Sequence, residues 1–313
     1  MPTVLGHHHI SMYTKDAQRN LDFYRNVLGL RLVKKSVNQD QPLMYHLFYG
    51  DRIGSPGTEL TFFEIPHAGK TRRGTNDIAK IGLLITDEAA LQYWKERLQQ
   101  FNIPLHEEIL YERQTIVSFK DPDDLELFFI VNGDAPIPDF WQPWEQSLIP
   151  EPYQILGVGP VVLHVRRPEL TARVLEGIFQ YQTVFQTEDT VVFRSQRDAL
   201  FGEIVIRQKE GPLTRPGRGY VHHLAVRVAD DHALAEIASK VKEAGYRLRD
   251  IVDRYYFKSI YFRDRNGIMF EVATDGPGFT RDEPVTDLGM KLALPPFLEH
   301  KREEIEATLK PIR

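Results

Sequence analysis

The spacing of apolar residues along the chain predicts one unit that is repeated four times. Each unit opens with a short strand, continues into a helix with apolar residues at helical spacing, and closes with three short strands. The predicted opening strands are 8–13, 78–86, 159–166 and 222–228, and the predicted helices are 16–28, 89–101, 169–180 and 232–245. The predicted closing strands are 31–38, 44–50, 58–65, 105–112, 115–120, 125–131, 182–187, 190–195, 201–207, 247–254, 258–263 and 268–273.

These four units predict two domains of two units each. A segment at 134–156 is rich in Pro and Trp and is predicted to be a linker that packs through its aromatic side chains. We therefore predict an N-terminal domain at 1–133, a C-terminal domain at 157–276, and a tail at 277–313 with a helix near 296–309. Two βαβββ units together can curl a sheet around a cleft. The predicted fold class is α+β, with four βαβββ modules that form two curled mixed β-sheet clefts.

The composition narrows the classes of function. The 313 residues carry a formal net charge of −5, which gives no basic footprint for a nucleic-acid partner. The chain contains no cysteine, which excludes disulfides, thiolate zinc sites and cysteine nucleophiles. No run approaches about 18 consecutive apolar residues, so no membrane span is expected. The start of the chain lacks the apolar stretch of a signal peptide, and we expect a cytoplasmic protein.

Two clusters of histidines stand in the opening strands of the first and fourth units. His7, His8 and His9 form the first cluster, and His222 and His223 form the second. Because successive side chains of a strand point to opposite faces, His7 and His9 are predicted to share one face, with His8 on the other. At most one histidine of each pair is then expected to point straight into a cleft. A lone strand histidine is more often a hydrogen-bonded core residue than a metal ligand, so the paired clusters carry the argument.

The repeat register selects His9 and His223 as the candidate ligands. His9 precedes Asp16 by seven residues and His223 precedes Asp230 by seven, so the two histidines are equivalent positions of the repeat. A third candidate, Glu271, stands among apolar residues of the last strand, where an unpaired carboxylate is costly to bury. Two histidines and one carboxylate can form the facial triad of a non-heme iron oxygenase.

The second and third units are predicted to lack such a site. Glu271 follows Asp264 by seven residues, and Phe128 follows Asp121 by the same interval. The opening strands of these two units are apolar at the positions taken as equivalent to the ligands, so units one and four would form one active cleft and units two and three a silent one. Glu64 is a rival ligand that ranks below Glu271. The other histidines are predicted to be surface or structural residues, namely His46, His67, His106, His164, His232 and His300.

Short motifs along nearly the whole chain resemble the vicinal oxygen chelate superfamily, which includes glyoxalase I, bleomycin-resistance proteins and extradiol dioxygenases. These motifs are His8-His9-Ile10, Phe23-Tyr24, Lys34-Lys35, Tyr45-His46-Leu47, Gly54-Ser55-Pro56-Gly57-Thr58, His222-His223, Gly267-Ile268-Met269-Phe270-Glu271, Gly278-Phe279-Thr280 and Leu288-Gly289-Met290. Four βαβββ modules are the hallmark of that fold. Within the superfamily the chain is most similar to hydroquinone ring-cleaving dioxygenases of the PcpA/LinE and MhqO type.

The resemblance implies a non-heme Fe(II) enzyme with iron ligands at His9, His223 and Glu271. It also implies functional groups around the metal, at His8, Ser11, His222, Arg254 and Tyr261. The implied substrates are O2 and a hydroquinone or related aromatic diol, and another divalent metal can replace iron during purification. Placing His8 and His222 near the metal requires a departure from ideal strand alternation. The substituents of the ring and the oligomeric state, a homo-oligomer included, are left open.

Two other functions remain as alternatives. The first is a metal-dependent isomerase or thiol-adduct enzyme of the glyoxalase kind, whose sites usually supply four protein ligands. The second is a non-enzymatic small-molecule-binding protein of the bleomycin-resistance kind, which needs no metal triad. Only three candidate ligands are found, which favours oxygen chemistry.

Overall fold

The four predicted units are present in the computed structural model, which describes residues 3–313. The first unit contains β1 (His7–Thr14), α1 (Ala17–Leu21), β2 (Arg31–Asn38), β3 (Gln41–Gly50) and β4 (Glu59–Glu64), and the second contains β5 (Asp77–Ile85), α2 (Glu88–Gln100), β6 (His106–Ile109), β7 (Thr115–Lys120) and β8 (Glu126–Val131). The third contains β9 (Gly157–Val165), α3 (Pro168–Gly177), β10 (Gln182–Gln186), β11 (Thr190–Arg194) and β12 (Ile204–Gln208), and the fourth contains β13 (Val221–Val228), α4 (Asp231–Glu243), β14 (Val252–Asp253), β15 (Lys258–Arg263) and β16 (Met269–Thr274). The tail ends in α5 (Arg302–Thr308).

The strands form two eight-stranded mixed sheets, and each sheet combines one unit from each half of the chain. The first sheet has the order β14-β15-β16-β13-β1-β4-β3-β2, from units four and one. The second has the order β10-β11-β12-β9-β5-β8-β7-β6, from units three and two. In both sheets the opening strands of the two units pair antiparallel at the centre. The predicted fold class and the predicted pairing of units are confirmed.

Aspartate caps set the register between strand and helix in three of the units. The side chain of Asp16 accepts a hydrogen bond from the backbone N–H of Arg19, and Asp230 accepts one from Ala233 in the fourth unit. A carboxylate at this position satisfies N–H groups that the first turn of a helix leaves free. Since Asp87 caps α2 in the same way, the distance from cap to strand identifies equivalent positions along the chain.

Strand alternation divides the residues of the first sheet between a core and a cleft. Ile10, Leu224 and Phe270 join the main hydrophobic core, which also contains the buried residues of the helices. Their neighbours in sequence therefore face the concave side of the sheet, where His9 and Glu271 lie. The same alternation in the second sheet directs apolar side chains to both faces.

Several elements differ from the sequence prediction. The helix of the first unit becomes a π-helix at Asp22–Val27, and the tail helix is preceded by a 3₁₀ helix at Pro296–Lys301. The first closing strand of the fourth unit is reduced to Val252–Asp253. No helix within residues 3–313 has the length and apolar character that a membrane crossing requires.

The segment between the halves of the chain packs against the second sheet. The ring of Trp141 is buried in a hydrophobic cluster of that sheet, and its indole N–H donates to the backbone oxygen of Pro56 at 2.9 Å. Both sheets take strands from the two sides of this segment. The division into domains at 133 and 157 stays a prediction.

Candidate metal centre

The two central strands of the first sheet shift register once each, and each shift falls at a histidine doublet. On β1, His7 pairs with Val226 and His9 pairs with Ala225, so His8 has no partner on β13. On β13, the pairing passes over His222 in the same way. An extra residue of this kind produces a β-bulge, which locally interrupts the alternation of side chains and re-aims them. The departure from alternation that His8 and His222 require is therefore present.

The prediction that His7 and His9 share a face is wrong for the same reason. His7 Nε2 lies 3.2 Å from the backbone oxygen of Glu203, which belongs to the loop before β12 of the second sheet. The bulge at His8 separates the two side chains and leaves His9 facing the cleft. His7 is a buried structural residue outside the site.

Three of the predicted residues converge in the cleft of the first sheet. The Nε2 atoms of His9 and His223 lie 3.2 Å apart. Glu271 Oε2 lies 3.2 Å from the former and 2.8 Å from the latter. All three side chains are almost fully buried, with Glu271 at 0 % exposure. His9 comes from β1, His223 from β13 and Glu271 from β16, so both ends of the chain contribute.

The separations and the hydrogen bonding of these atoms fit a metal ligand set. Ligands about 2.1 Å from a metal are about 3.0 Å apart when they subtend 90°, and about 3.4 Å apart in a tetrahedron. The observed 2.8–3.2 Å matches the first arrangement, which is that of a facial triad. Although two imidazoles lie close, Glu271 Oε2 makes no hydrogen bond of regular geometry to a residue within 3–313.

Two hydroxyl groups hold the second oxygen of Glu271. Ser259 Oγ donates to Oε1 at 2.5 Å and Tyr261 Oη donates to the same atom at 2.8 Å. Burial by itself raises the pKa of this carboxyl, but His9 and His223 outweigh burial and hold the pKa well below its ordinary value. Glu271 is therefore an oriented carboxylate with Oε2 turned to the histidines.

Each of the two candidate histidine ligands, His9 and His223, is hydrogen-bonded to the other histidine of its doublet. His8 Nδ1 lies 2.9 Å from His9 Nδ1, and His222 Nδ1 lies 2.8 Å from His223 Nδ1. The doublets differ in their second contact: His8 Nε2 lies 3.1 Å from the backbone oxygen of Thr274. Burial, followed by repulsion from the neighbouring histidine, lowers the pKa of His8 and of His222 to about 3. Both rings are therefore neutral near pH 7.

Arg254 and Tyr261, two of the groups that the resemblance implies, contact each other beside Glu271. The guanidinium of Arg254 donates to Tyr261 Oη at 3.3 Å and lies over the tyrosine ring, 5.3 Å from its centre. A second contact of 3.2 Å joins Arg254 to Asp40 in the β2–β3 hairpin. Burial, then the charge of Glu271, raises the pKa of Tyr261 well above its ordinary value, so the phenol stays protonated.

The structure adds a polar group on the opposite wall that sequence reasoning missed. Ser11 Oγ lies 2.7 Å from Thr61 Oγ1, and His46 Nε2 lies 3.0 Å from the same hydroxyl. His46 is sandwiched between Phe48 and Phe63, with ring centres 3.9 and 4.0 Å away. Burial, followed by His9 and His223, lowers the pKa of His46 well below its ordinary value. Sequence analysis predicts a surface or structural residue at His46, whereas the structure places it against Thr61 and Phe63 of β4.

A spacing rule already present in the sequence would have found Thr61. Glu271 is four residues past Gly267, and Thr61 is four residues past Gly57. The strand pairing gives the same equivalence. His9 pairs with Glu59, two residues before Thr61. Lys80 pairs with Glu126, two residues before Phe128. Thr61 is thus the counterpart of Glu271 in the first unit.

Strand β4 carries two glutamates, Glu59 and Glu64, and neither belongs to the triad. Glu64 Oε1 accepts a hydrogen bond from the backbone N–H of Ala17 at 2.8 Å, at the start of α1. The rival ligand therefore does not reach the site. Glu59 is buried with Oε1 3.9 Å from His8 Nδ1, and burial raises its pKa well above the ordinary value. Burial therefore favours the protonated form of Glu59.

The second sheet has the same strand plan without the ligands. Its central strands show register shifts at the same two places, at Ala79 on β5 and at Gly159 and Pro160 on β9. Lys80 occupies the position of His9, and Phe128 occupies the repeat position that Thr61 has in the first unit and Glu271 has in the fourth. The prediction that every equivalent position is apolar is therefore wrong at Lys80, which contacts Glu108 and Glu126. Within residues 3–313 two groups of side chains are close enough to share a metal, His9 with His223 and Glu271, and His8 with His9 and Glu59, and both belong to the first sheet.

Comparison with known families settles the relationship. The model of the Glyoxalase/Bleomycin resistance protein/Dioxygenase superfamily matches residues 6–129 and 161–272. The chain belongs to this superfamily. A Bacillus subtilis member named "Putative ring-cleaving dioxygenase MhqA" is 45% identical over 99% of this chain and 99% of its own length. A "Chlorohydroquinone/hydroquinone 1,2-dioxygenase" from Sphingobium indicum is 30% identical over 98% and 96%.

Solved structures of other members agree on the fold. A B. subtilis protein described as a "putative dioxygenase" superposes with a TM-score of 0.91 at 35% identity, over 100% of this chain and 99% of its own. Glyoxalase I from Zea mays superposes with a TM-score of 0.63 at 14% identity, over 86% and 92%. At that identity the second comparison carries the superfamily fold alone. The closely similar sequences are those that bear dioxygenase names.

Proposed function

We propose that this protein is a non-heme Fe(II)-dependent ring-cleaving dioxygenase that acts on a hydroquinone-type or related aromatic diol. The observation that carries the proposal is the convergence of His9 Nε2, His223 Nε2 and one oxygen of Glu271 within 3.2 Å of each other. Two histidines and one carboxylate leave positions open for two reactants, as oxygenase chemistry at Fe(II) requires. The names of the relatives support the same reaction class.

His9, His223 and Glu271 would hold the metal, and when bound, Fe(II) supplies a common centre for the aromatic substrate and dioxygen. The chain's own contribution begins with Ser259 and Tyr261. By donating to Glu271 Oε1, their hydroxyls direct Oε2 toward the histidines. Such contacts orient a ligand before the metal arrives and raise its affinity for metal.

Arg254 and Tyr261 would bind an oxygen of the diol. The fixed positive charge of Arg254 favours a phenolate over a phenol, and the Tyr261 hydroxyl lies between it and Glu271. Because the pKa of Tyr261 is raised, this hydroxyl keeps its proton and acts as a donor. His222, part-exposed and neutral, is the group proposed to accept a proton from the substrate.

The aromatic wall of the cleft fits a flat substrate. The ring of His46 is tilted by 39° against Phe48 and stacks on Phe63. Phe257 closes the cleft near the triad, with its ring centre 5.3 Å from that of His9. Ser11 and Thr61 add hydroxyls between this wall and the triad.

A glyoxalase-like reaction is less well supported because of one residue. The position that is equivalent to Glu271 in the first unit is occupied by Thr61, whose hydroxyl bonds to Ser11 and His46. A neutral hydroxyl is a much weaker ligand than a carboxylate. The site therefore offers three strong ligands rather than the four of glyoxalase-type sites.

The test is oxygen uptake by protein loaded anaerobically with Fe(II), with hydroquinone and catechol supplied side by side. We expect stoichiometric oxygen consumption and ring-opened product with one diol class, and no uptake by His223→Ala. Lys80→Ala, in the equivalent strand of the second sheet, is the matched control and should retain uptake. Failure of both diols to consume oxygen, or full activity in His223→Ala, would refute the proposal. Turnover of a thiol adduct with Ni(II) or Zn(II) would instead indicate the glyoxalase-like alternative.

A further inference from the structure

The paired histidines pose a question about hydrogen position that the geometry can answer. A neutral imidazole carries one proton, on Nδ1 or on Nε2, and only the bare nitrogen can bind a metal. His9 Nδ1 and His8 Nδ1 lie 2.9 Å apart, so one proton must lie between them. Which ring owns that proton decides whether His9 Nε2 is free to act as a ligand.

The backbone oxygen of Thr274 identifies which of the two rings is protonated on Nδ1. It lies 3.1 Å from His8 Nε2, and a carbonyl oxygen only accepts, so His8 carries its proton on Nε2. A second proton on His8 would create a buried cation, which needs a carboxylate in hydrogen-bonding range. Glu59 Oε1 is 3.9 Å from His8 Nδ1, beyond that range. The proton between the rings therefore belongs to His9 Nδ1.

We propose that His8 is a positioning residue that fixes the tautomer of His9 through the chain Thr274 O, His8 and His9. His8 donates from Nε2 to Thr274, accepts at Nδ1 from His9, and thereby keeps the lone pair of His9 Nε2 directed to Glu271 and His223. The β-bulge at His8 makes this possible, because without the extra residue the ring would lie on the other face of the sheet. This inference rests on the proposed metal centre.

The second doublet has the same contact between its two rings but lacks a second hydrogen bond that would fix the tautomer. His222 Nδ1 lies 2.8 Å from His223 Nδ1, but the side chain of His222 makes no second hydrogen bond within residues 3–313. Its ring contacts Tyr13 at a centre distance of 5.3 Å and is part-exposed. His223 can therefore exchange tautomers with His222, whereas His9 is held in one.

Metal affinity tests the relay apart from catalysis. Zn(II), which is redox-silent, is titrated into metal-free protein against a chromophoric chelator. We expect His8→Leu to weaken zinc binding by about 10- to 100-fold, the usual cost of losing an outer hydrogen-bond partner of a ligand. His8→Gln should recover most of the affinity, because its amide can donate to Thr274 and accept from His9. His222→Leu should have a smaller effect than His8→Leu.

The matched control is His7→Leu, which removes an equally buried histidine one residue away. His7 contacts the backbone of Glu203 instead of the triad, so this variant should lose stability but bind zinc like the wild type. If His8→Leu binds zinc within about twofold of wild type, or if His7→Leu and His8→Leu weaken it equally, the relay is refuted. A wild type that binds no zinc would refute the metal centre itself.

Nitrogen-15 NMR of the metal-free wild type tests the tautomer directly and does not depend on any variant folding. The two neutral tautomers place the protonated nitrogen at different ring positions, which have distinct chemical shifts. We expect the His9 signals of the Nδ1–H form and the His8 signals of the Nε2–H form. Observation of His9 protonated on Nε2 as its main neutral form would overturn the inference.

Discussion

The two sheets of this protein share one backbone plan and differ in what a few positions carry. Both have eight strands in matching order, and both shift register at the same two places of their central strand pair. In the first sheet these places hold His8 and His222, whereas in the second they hold Ala79 and Gly159. The bulges therefore belong to the fold, and the side chains placed on them make the difference between a polar site and a packed core.

The second sheet uses its concave face for stability. Leu84, Phe128, Val162 and Val205 bury this face together with Trp141 from the connecting segment. The first sheet leaves the corresponding space to histidines, hydroxyls and a carboxylate, which are costly to bury. One copy of the plan thus supports the fold while the other holds the proposed metal centre, as expected when a functional site reduces stability.

The largest expected difference between the sheets is in metal binding and activity. His9→Ala removes one of three ligands, and we expect metal-dependent oxygen uptake to fall by more than about 1,000-fold with loss of bound metal. Lys80→Ala changes the same position of the second sheet and should leave uptake within about threefold. Metal content and oxygen consumption of the two purified variants provide the measurement. A loss of metal in Lys80→Ala would show that the second sheet also takes part in the site.

Stability should depend more on the second sheet than on the first at the repeat position shared by Phe128 and Glu271. Phe128 is fully buried, and Phe128→Ala should lower the free energy of unfolding by about 3–5 kcal/mol. Glu271→Gln keeps the shape and the contacts with Ser259 and Tyr261, and should lower it by less than Phe128→Ala in metal-free protein. Urea unfolding of both variants checks this. Phe128→Ala protein that remains folded should bind zinc normally.

Sequence alone was sufficient for the parts of the site that depend on local register. The caps at Asp16 and Asp230 fix the distance from strand to helix, so the seven-residue interval identifies His9 and His223 as equivalent residues. Glu271 follows from its isolation among apolar residues of a strand. These signals lie within one unit and need no knowledge of how the units pair.

The remaining parts depend on contacts between distant segments. The bulges at His8 and His222 arise from pairing between β1 and β13, which are more than 200 residues apart in the chain. His46 resembles any strand histidine until β3 is placed beside β4, where it meets Thr61. Sequence periodicity assumes regular alternation, so it misplaced His7 and gave no reason for the inward position of His46.

A smaller effect is expected from the glycine that makes room for Phe128. Gly82 faces Phe128 across the strand pair, and a methyl group there would lie 2.8 Å from the phenyl ring and 2.7 Å from the backbone oxygen of Pro160. Gly82→Ala should therefore cost about 1–3 kcal/mol through overpacking. Ala225, which has the same repeat position in the fourth unit, lies opposite Glu271, and Ala225→Gly should cost about 1 kcal/mol or less. Equal losses would mean that the two concave faces are packed alike.

The smallest predicted difference between the sheets is in how stability depends on pH. It concerns His164 of β9 and its equivalent residue on β13, Arg227. Arg227 forms a bidentate pair with Asp275. Burial, then repulsion from Lys209 and Arg207, lowers the pKa of His164 to about 4. Lys80 and Arg73 act in the same direction.

Since the folded-state pKa of His164 lies below its ordinary value of 6.5, the unfolded chain takes up a proton that the native protein does not. The contribution of His164 to stability is therefore complete above about pH 6.5 and declines as the pH falls toward about 4. His164→Gln removes this titration, so wild type minus variant in Tm should be several degrees smaller at about pH 5 than at about pH 7.5. Metal-free protein is used, because metal release at low pH would add its own dependence. A difference in Tm that is constant over this range would show that His164 titrates normally and that the second sheet is open to solvent at this position.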